Sequence, residues 1–199
     1  EITTRLVGSE MCIRDRYKKY AGGKIINFVQ ENIPEMNIDS TTLSTSYRNN
    51  QIICNLANKM YPDMEPCDSA MNVKTEHDGI FWIEEKDIDN YMETYKPMQL
   101  RYDRRTKVNA KFRVMTFGSA KGLTFDRVLI YPTQPMLTWL SGKSKGLKGE
   151  SLSKFYVAVT RAKYSVGFIY KTKKVPSEII GIKWTPNIDE SVSYTHLTL

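Results

Sequence analysis

Two short runs limit what this chain can fold into. Val128 to Tyr131 (VLIY) places apolar side chains at successive positions, and Ser165 to Tyr170 (SVGFIY) does so almost throughout. Strands of that kind are buried on both faces rather than one. The segments between such runs carry apolar residues at helical spacing. Over Asn49 to Tyr61, Ile52, Ile53, Leu56, Ala57 and Met60 form one face, and Pro62 stops the pattern. Further strands are predicted over Thr41–Ser46, Gly79–Glu84, Met98–Tyr102, Phe112–Phe117 and Asp126–Tyr131. Helices are predicted over Gly22–Met36, Lys86–Tyr95, Pro135–Leu140 and Ser151–Lys163. Pro62 to Asp78 and the basic stretch Ser141 to Glu150 read as loops. Strands alternating with helices predict an α/β fold: a mainly parallel sheet covered by helices on both faces.

The two ends read differently. Met11-Cys12-Ile13-Arg14-Asp15 can be encoded by ATG TGT ATA AGA GAC, and the reverse complement, GTC TCT TAT ACA CAT, translates as Val192-Ser193-Tyr194-Thr195-His196. One short DNA element thus sits at both ends in opposite orientation. It resembles the transposon end used in sequencing adapters. Residues 1–16 and 192–199 are therefore expected to be non-native and to carry no weight for the fold. Tyr17 to Ser191 is expected to be an internal piece of a longer gene, long enough for one domain with a real core.

The formal net charge is +7, and all of it belongs to that inner segment, because Arg5, Arg14 and Arg16 balance Glu1, Glu10 and Asp15 at the first end. Basic clusters occur at Lys18-Lys19, Arg101/Arg104/Arg105/Lys107, Lys143/Lys145/Lys148 and Lys171/Lys173/Lys174. Either they contact a polyanion or they form a solvated, lysine-rich surface. No apolar run is long enough to span a membrane. Cys54, Cys67 and His77 lack metal-ligand spacing, so no metal site is expected. Two unpaired thiols suit a reducing, cytoplasmic setting.

Three segments carry candidate chemistry. In Leu43 to Asn58, Tyr47-Arg48 follows a predicted strand and precedes a helix. The carboxyl ends of parallel strands are where ligands bind, so a tyrosine there can stack on a base and an arginine can reach phosphate. Alternatively the pair is a structural cap. In Phe117 to Thr133, the small turn Gly118-Ser119-Ala120-Lys121-Gly122 precedes an apolar strand. Its amides are either open to an anion or simply part of a turn. In Phe155 to Tyr170, Arg161 follows Thr160 near the end of a predicted helix, just before an apolar strand, where it either points into a neighbouring domain or complements the helix dipole.

In this order the segments resemble motifs IV, V and VI of superfamily 1 helicases of the UvrD/Rep/PcrA-like group. The matching residues are Ser46-Tyr47-Arg48-Asn49 with Ile53 to Asn58, Thr116 to Phe125, and Tyr156 to Ala162. The resemblance runs over roughly Ala21 to Tyr170. It implies the second RecA-like domain of a motor that splits ATP in a cleft between two such domains and steps along single-stranded DNA. By family role, Tyr47 stacks on adenine, Arg48 contacts the γ-phosphate, and Arg161 is an arginine finger, a device that supplies roughly 10³–10⁵ in rate. Thr116, Ser119 and Lys121 fall to DNA contact, and Gly122 and Thr124 to the nucleotide side.

The chain also departs from the family pattern. Gly118 stands where histidine is common, and Thr124 where a ribose-contacting glutamate is common. The interval from Ala57 to Val114 is too short for the large inserted accessory domain. No G-x-x-x-x-G-K-[ST] loop or magnesium-binding acidic motif occurs. ATP with Mg²⁺ is therefore expected to be held mainly by a first RecA-like domain upstream, and this piece alone is expected to be inactive. The alternatives are a nucleic-acid-binding module without motor activity and the motor part of a helicase–nuclease.

Overall fold

The computed structural model describes residues 31–32, 44–143, 147–172, 174–176 and 180–186. Both adapter-like ends, Lys18-Lys19, most of the predicted helix Gly22–Met36, Lys145 and Lys173 lie outside the described residues. The elements in chain order are β1 (Thr45–Ser46), α1 (Gln51–Met60), β2 (Asp68–Ser69), β3 (Gly79–Glu84), α2 (Ile88–Tyr95), β4 (Met98–Arg101), β5 (Val114–Thr116), β6 (Phe125–Tyr131), α3 (Gln134–Leu140), α4 (Gly149–Val159), β7 (Ala162–Tyr170) and β8 (Ile182–Lys183). A 3₁₀ turn, Glu85–Asp87, leads into α2. Among the described residues no helix is long and apolar enough to cross a membrane.

Six strands make one sheet in the order β5-β4-β6-β7-β3-β8, every neighbouring pair parallel. The α/β class with a parallel sheet is the one the apolar runs predicted. The period-2 geometry of the strands sorts their side chains onto two faces. Ile80, Trp82, Leu100, Val128, Ile130, Val166, Phe168 and Tyr170 point to one side, against Ile53, Leu56 and Met60 of α1, Met136 and Leu140 of α3, and Phe155, Ala158 and Val159 of α4. Phe81, Ile83, Leu129, Tyr131 and Ile169 point to the other, against Ile88, Tyr91 and Met92 of α2 and against Trp184. Gly167 sits in the second layer, where a Cβ would lie 2.6 Å from Ile83 Cδ1 and 2.9 Å from Leu129 Cδ1. Glycine there leaves room for the Ile83 and Leu129 side chains of the two neighbouring strands.

Several boundaries differ from the prediction, each for a physical reason. α4 ends at Val159 rather than Lys163, and β7 begins at Ala162. At the stop the Arg161 amide donates to the Ala158 carbonyl instead of Val157, and the Arg161 side chain takes the Val157 carbonyl. Pro62 to Asp78 is not all loop, since β2 pairs with β1 in a small parallel sheet of its own. β1 is thus no strand of the main sheet. On α1, Ile52 is half exposed at the rim and Cys54 takes its place on the buried face. β8 was not predicted. It is held where Trp184 N–H donates to the Trp82 carbonyl and the Trp82 indole to the Ile180 carbonyl.

One buried histidine marks the α2 side. His77 lies between the rings of Phe81 and Tyr95, at centroid distances of 3.8 and 3.7 Å, with Nε2 2.9 Å from the Tyr91 hydroxyl. Burial, with the Arg127 guanidinium as a second cause, lowers its pKa from 6.5 to about 3. Between those values the unfolded chain binds a proton that the native chain does not. This contribution to stability is therefore complete above about pH 6.5 and drains as pH falls towards 3, by up to ~1.4 kcal/mol per pH unit. Urea midpoints at pH 7, 6 and 5 should fall more steeply for the wild-type chain than for His77→Phe. Equal slopes would show that His77 titrates alike in both states.

Candidate functional site

The turn after β1 is built by short polar side chains. Ser46 Oγ accepts from the amides of Arg48 and Asn49, at 3.4 and 3.2 Å, and donates to Asn49 Oδ1 at 3.0 Å. Asn50 then caps α1, its side-chain oxygen accepting from Ile53 N–H at 3.1 Å. Both asparagines also reach far along the chain. Asn49 Nδ2 donates to the carbonyls of Thr160, at 3.1 Å, and Ala162, at 2.6 Å. The Asn50 backbone amide donates to the Lys163 carbonyl, and its Nδ2 to the Tyr164 carbonyl at 2.6 Å. These contacts fasten the Tyr47-Arg48 turn to the start of β7. The sequence reading passed over Asn49 and Asn50 as functional positions. An Asn-Asn pair directly before a helix was the available signal, but the bonds that matter here, to Thr160 through Tyr164, are not local.

The chain crossing at Arg161 joins the third segment. Arg161 is 5% exposed. Its Nε donates to the Val157 carbonyl at 3.0 Å, Nη1 to the Leu123 carbonyl at 3.2 Å, and Nη2 to Thr160 Oγ1 at 3.2 Å. Its own carbonyl accepts from Phe125 N–H at 2.9 Å. The guanidinium therefore folds back onto this domain and does not point out of it. The acceptors of the α4 terminus and of the turn before β6 draw it inward.

The turn itself is more self-contained than a bare glycine-rich loop. Thr116 and Ser119 close a ring: each backbone amide donates to the other's hydroxyl, at 2.9 and 3.2 Å, and the hydroxyls lie 2.8 Å apart. The amides of Ala120, Lys121 and Leu123 donate to the carbonyls of Thr116, Gly118 and Ala120. Open amides for an anion are thus not the main feature of this turn. Phe117 and Ala120 are fully buried and fix it to the core, and Gly122 takes φ +81, a left-handed conformation that favours glycine. Lys121 is half-buried and Thr124 exposed.

Tyr47, Arg48, Arg161 and the turn carrying Gly122 and Thr124 converge, but not where the sequence placed them. β1 lies outside the main sheet, and the bonds of Asn49 and Phe125 put the seam at the amino ends of β6 and β7. Thr116 and Ser119 stand at the carboxyl end of β5, and the turn runs between the two edges. Tyr47 is 83% exposed. The half-buried side chain of Arg48 has no hydrogen bond or ion pair among the described residues.

Residues 82–173 match the family model of the UvrD-like helicase C-terminal domain. That stretch is just under half of the chain and holds the second and third segments, Thr116 to Phe125 and Tyr156 to Ala162. Solved structures similar to the chain include the PRRSV helicase, at 22% identity over 66% of this chain and 23% of that one, with a TM-score of 0.42. Another is the C-terminal domain of a possible DNA helicase from Lactobacillus plantarum WCFS1, at 10% identity over 69% of this chain and 98% of that one, TM-score 0.44. A third is Arterivirus nonstructural protein 10 in complex with DNA, at 19% identity over 72% and 29%, TM-score 0.42. This chain spans about a quarter of the length of the viral helicases it matches. No match was found among curated proteins.

Asn49 is the residue on which the seam turns, and it is buried. Asn49→Ala would leave the carbonyls of Thr160 and Ala162 without their side-chain donor. The expected loss is about 2–3 kcal/mol in urea unfolding. Asn49→Asp, which presents only acceptors to those carbonyls, should cost at least as much. A change below about 0.5 kcal/mol for both would mean that the seam does not need this amide.

Proposed function

We propose that this chain is part of the second motor domain of an ATP-dependent, UvrD-like superfamily 1 DNA helicase or translocase. The observation that carries the reading is the seam: Asn49 bound to the carbonyls on either side of Arg161, and Arg161 bound to the Leu123 carbonyl. It joins a segment outside the matched stretch to the two inside it. Tyr47, exposed, offers a face to adenine. Arg48, a half-buried cation without an ion pair among the described residues, suits the γ-phosphate. Arg161 acts on charge that develops during phosphoryl transfer. Gly122 and Thr124 lie on the nucleotide side, while Thr116, Ser119 and Lys121 face the DNA backbone. ATP and Mg²⁺ are held mainly by a first RecA-like domain.

A second reading is a nucleic-acid-binding module of the same fold without motor activity. The inward fold of the Arg161 guanidinium favours it, because DNA binding alone asks nothing of that residue. ATPase rate against single-stranded DNA concentration, at two salt levels, separates the two in a protein that carries both motor domains. Under the motor reading, Arg161→Ala lowers kcat about a hundredfold (~3 kcal/mol) with little change in ATP affinity. Lys121→Ala weakens DNA binding and lowers its salt slope by about 0.7, the share of one phosphate contact. Wild-type kcat in a folded Arg161→Ala protein would make Arg161 a helix-end charge only, and no ATP turnover in the wild-type protein would leave only the binding module.

A further inference from the structure

A pair of thiols lies behind the Tyr47-Arg48 turn, and no role assigned above uses either of them. Cys54 is buried on α1, 3% exposed, and its Sγ is 3.8 Å from the Asn49 carbonyl. The same carbonyl accepts from Ser69 Oγ at 2.7 Å, which brings β2 against this point of α1. Cys67 directly precedes β2 and is half-buried. Its amide and carbonyl are both held by the side chain of Asn58, at 2.9 and 3.1 Å. Asn58 stands one helical turn beyond Cys54 on the same side of α1. Two independent ties thus bring the Cys67 segment against the face that carries Cys54. Both sulfurs are free thiols.

We propose that Cys54 and Cys67 form a redox-active dithiol that closes to an intramolecular disulfide by exchange with a low-molecular-weight disulfide, tying β2 to α1 behind the Tyr47-Arg48 turn. The Cys67 thiol, the more accessible, loses its proton and attacks one sulfur of the small disulfide, releasing one small thiolate. The Cys54 thiol then loses its proton and attacks the Cys67 sulfur, and the second small thiolate leaves. The two protons end on the two released thiolates. The protein dithiol is oxidised and the small disulfide is reduced to two thiols. Burial pushes the Cys54 thiol up to about 11, with Cys67 as a further cause, and burial also raises Cys67. The exchange is therefore slow at neutral pH and quickens in alkali.

The test uses the full 199-residue chain with Cys12→Ser, which leaves these two thiols alone. It is incubated with oxidised glutathione, followed by thiol titration, intact mass and peptide mapping without reductant. The expected result is loss of both thiols, a mass lower by two hydrogens, no retained glutathione and a Cys54–Cys67 linked peptide, all reversed by dithiothreitol. The oxidised form should melt higher by roughly 5 °C, as closing a short loop implies. Adding Cys54→Ser should leave one glutathione on Cys67. Two results would overturn the proposal: glutathione kept on Cys67 while Cys54 still titrates, or two unreacted thiols in the native chain while the urea-unfolded chain reacts.

Discussion

The abrupt switch from helix to strand at Thr160-Arg161 sets the terms for the rest of the molecule. A helix that ends inside a protein and becomes a strand within two residues leaves carbonyls facing the interior, and buried carbonyls must find donors. Here the donors come from elsewhere in the chain. Asn49 serves Thr160 and Ala162, Asn50 serves Lys163 and Tyr164, and the Phe125 amide serves Arg161. The same stretch gives back a donor, the Arg161 guanidinium, to Val157 and Leu123. Backbone satisfaction, rather than packing alone, therefore brings three segments to one place. They converge because each holds what another lacks.

The sheet separates that seam from a second layer with a different character. On the α1, α3 and α4 side the core is mostly aliphatic and aromatic, and the motif segments are anchored to it through Phe117, Ala120, Phe155 and Ala158. On the α2 side, His77 is stacked between two rings, and Arg127 donates to Thr75 Oγ1 with its guanidinium about 6 Å from the rings of Tyr95 and Tyr164. Packing of Ile83 and Leu129 in this layer depends on the missing side chain at Gly167. Tyr164 links the layers, since its carbonyl binds Asn50 on one side and its ring meets Arg127 on the other.

Much of this was legible in the chain, for reasons that also explain the omissions. Val128 to Tyr131 and Ser165 to Tyr170 announced doubly buried strands because every position in such a strand meets core. The three motif segments were visible because their residues cluster within a few positions. β2 and β8, at two residues each, are too short for any periodic signal. The positions of Ile52 and Cys54 on α1 follow from how the helix rolls against β3 and β7, which helical spacing does not determine. The anchoring bonds of Asn49 and Asn50 span more than a hundred residues, and nothing local in a sequence marks their far partners. The direction of the Arg161 side chain likewise depends on Leu123, a residue 38 positions away.

That direction does not count heavily against a part for Arg161 beyond its own domain. Its contacts at Val157, Leu123 and Thr160 all involve neutral oxygens, at 3.0 to 3.2 Å. A guanidinium bound to phosphate makes shorter, charge-assisted bonds that are roughly twice as strong. The Thr160 hydroxyl would share its one proton between the Tyr156 carbonyl, at 2.9 Å, and the Val157 carbonyl, at 3.3 Å. Leu123 is 41% exposed, so water can reach its surroundings and take over its carbonyl. Turning outward would exchange these neutral contacts for ionic ones and leave the Val157 carbonyl with only the longer branch of the Thr160 hydroxyl bond. Arg161 is thus a buried cation held by neutral oxygens at the start of β7, beside the turn that carries Tyr47 and Arg48.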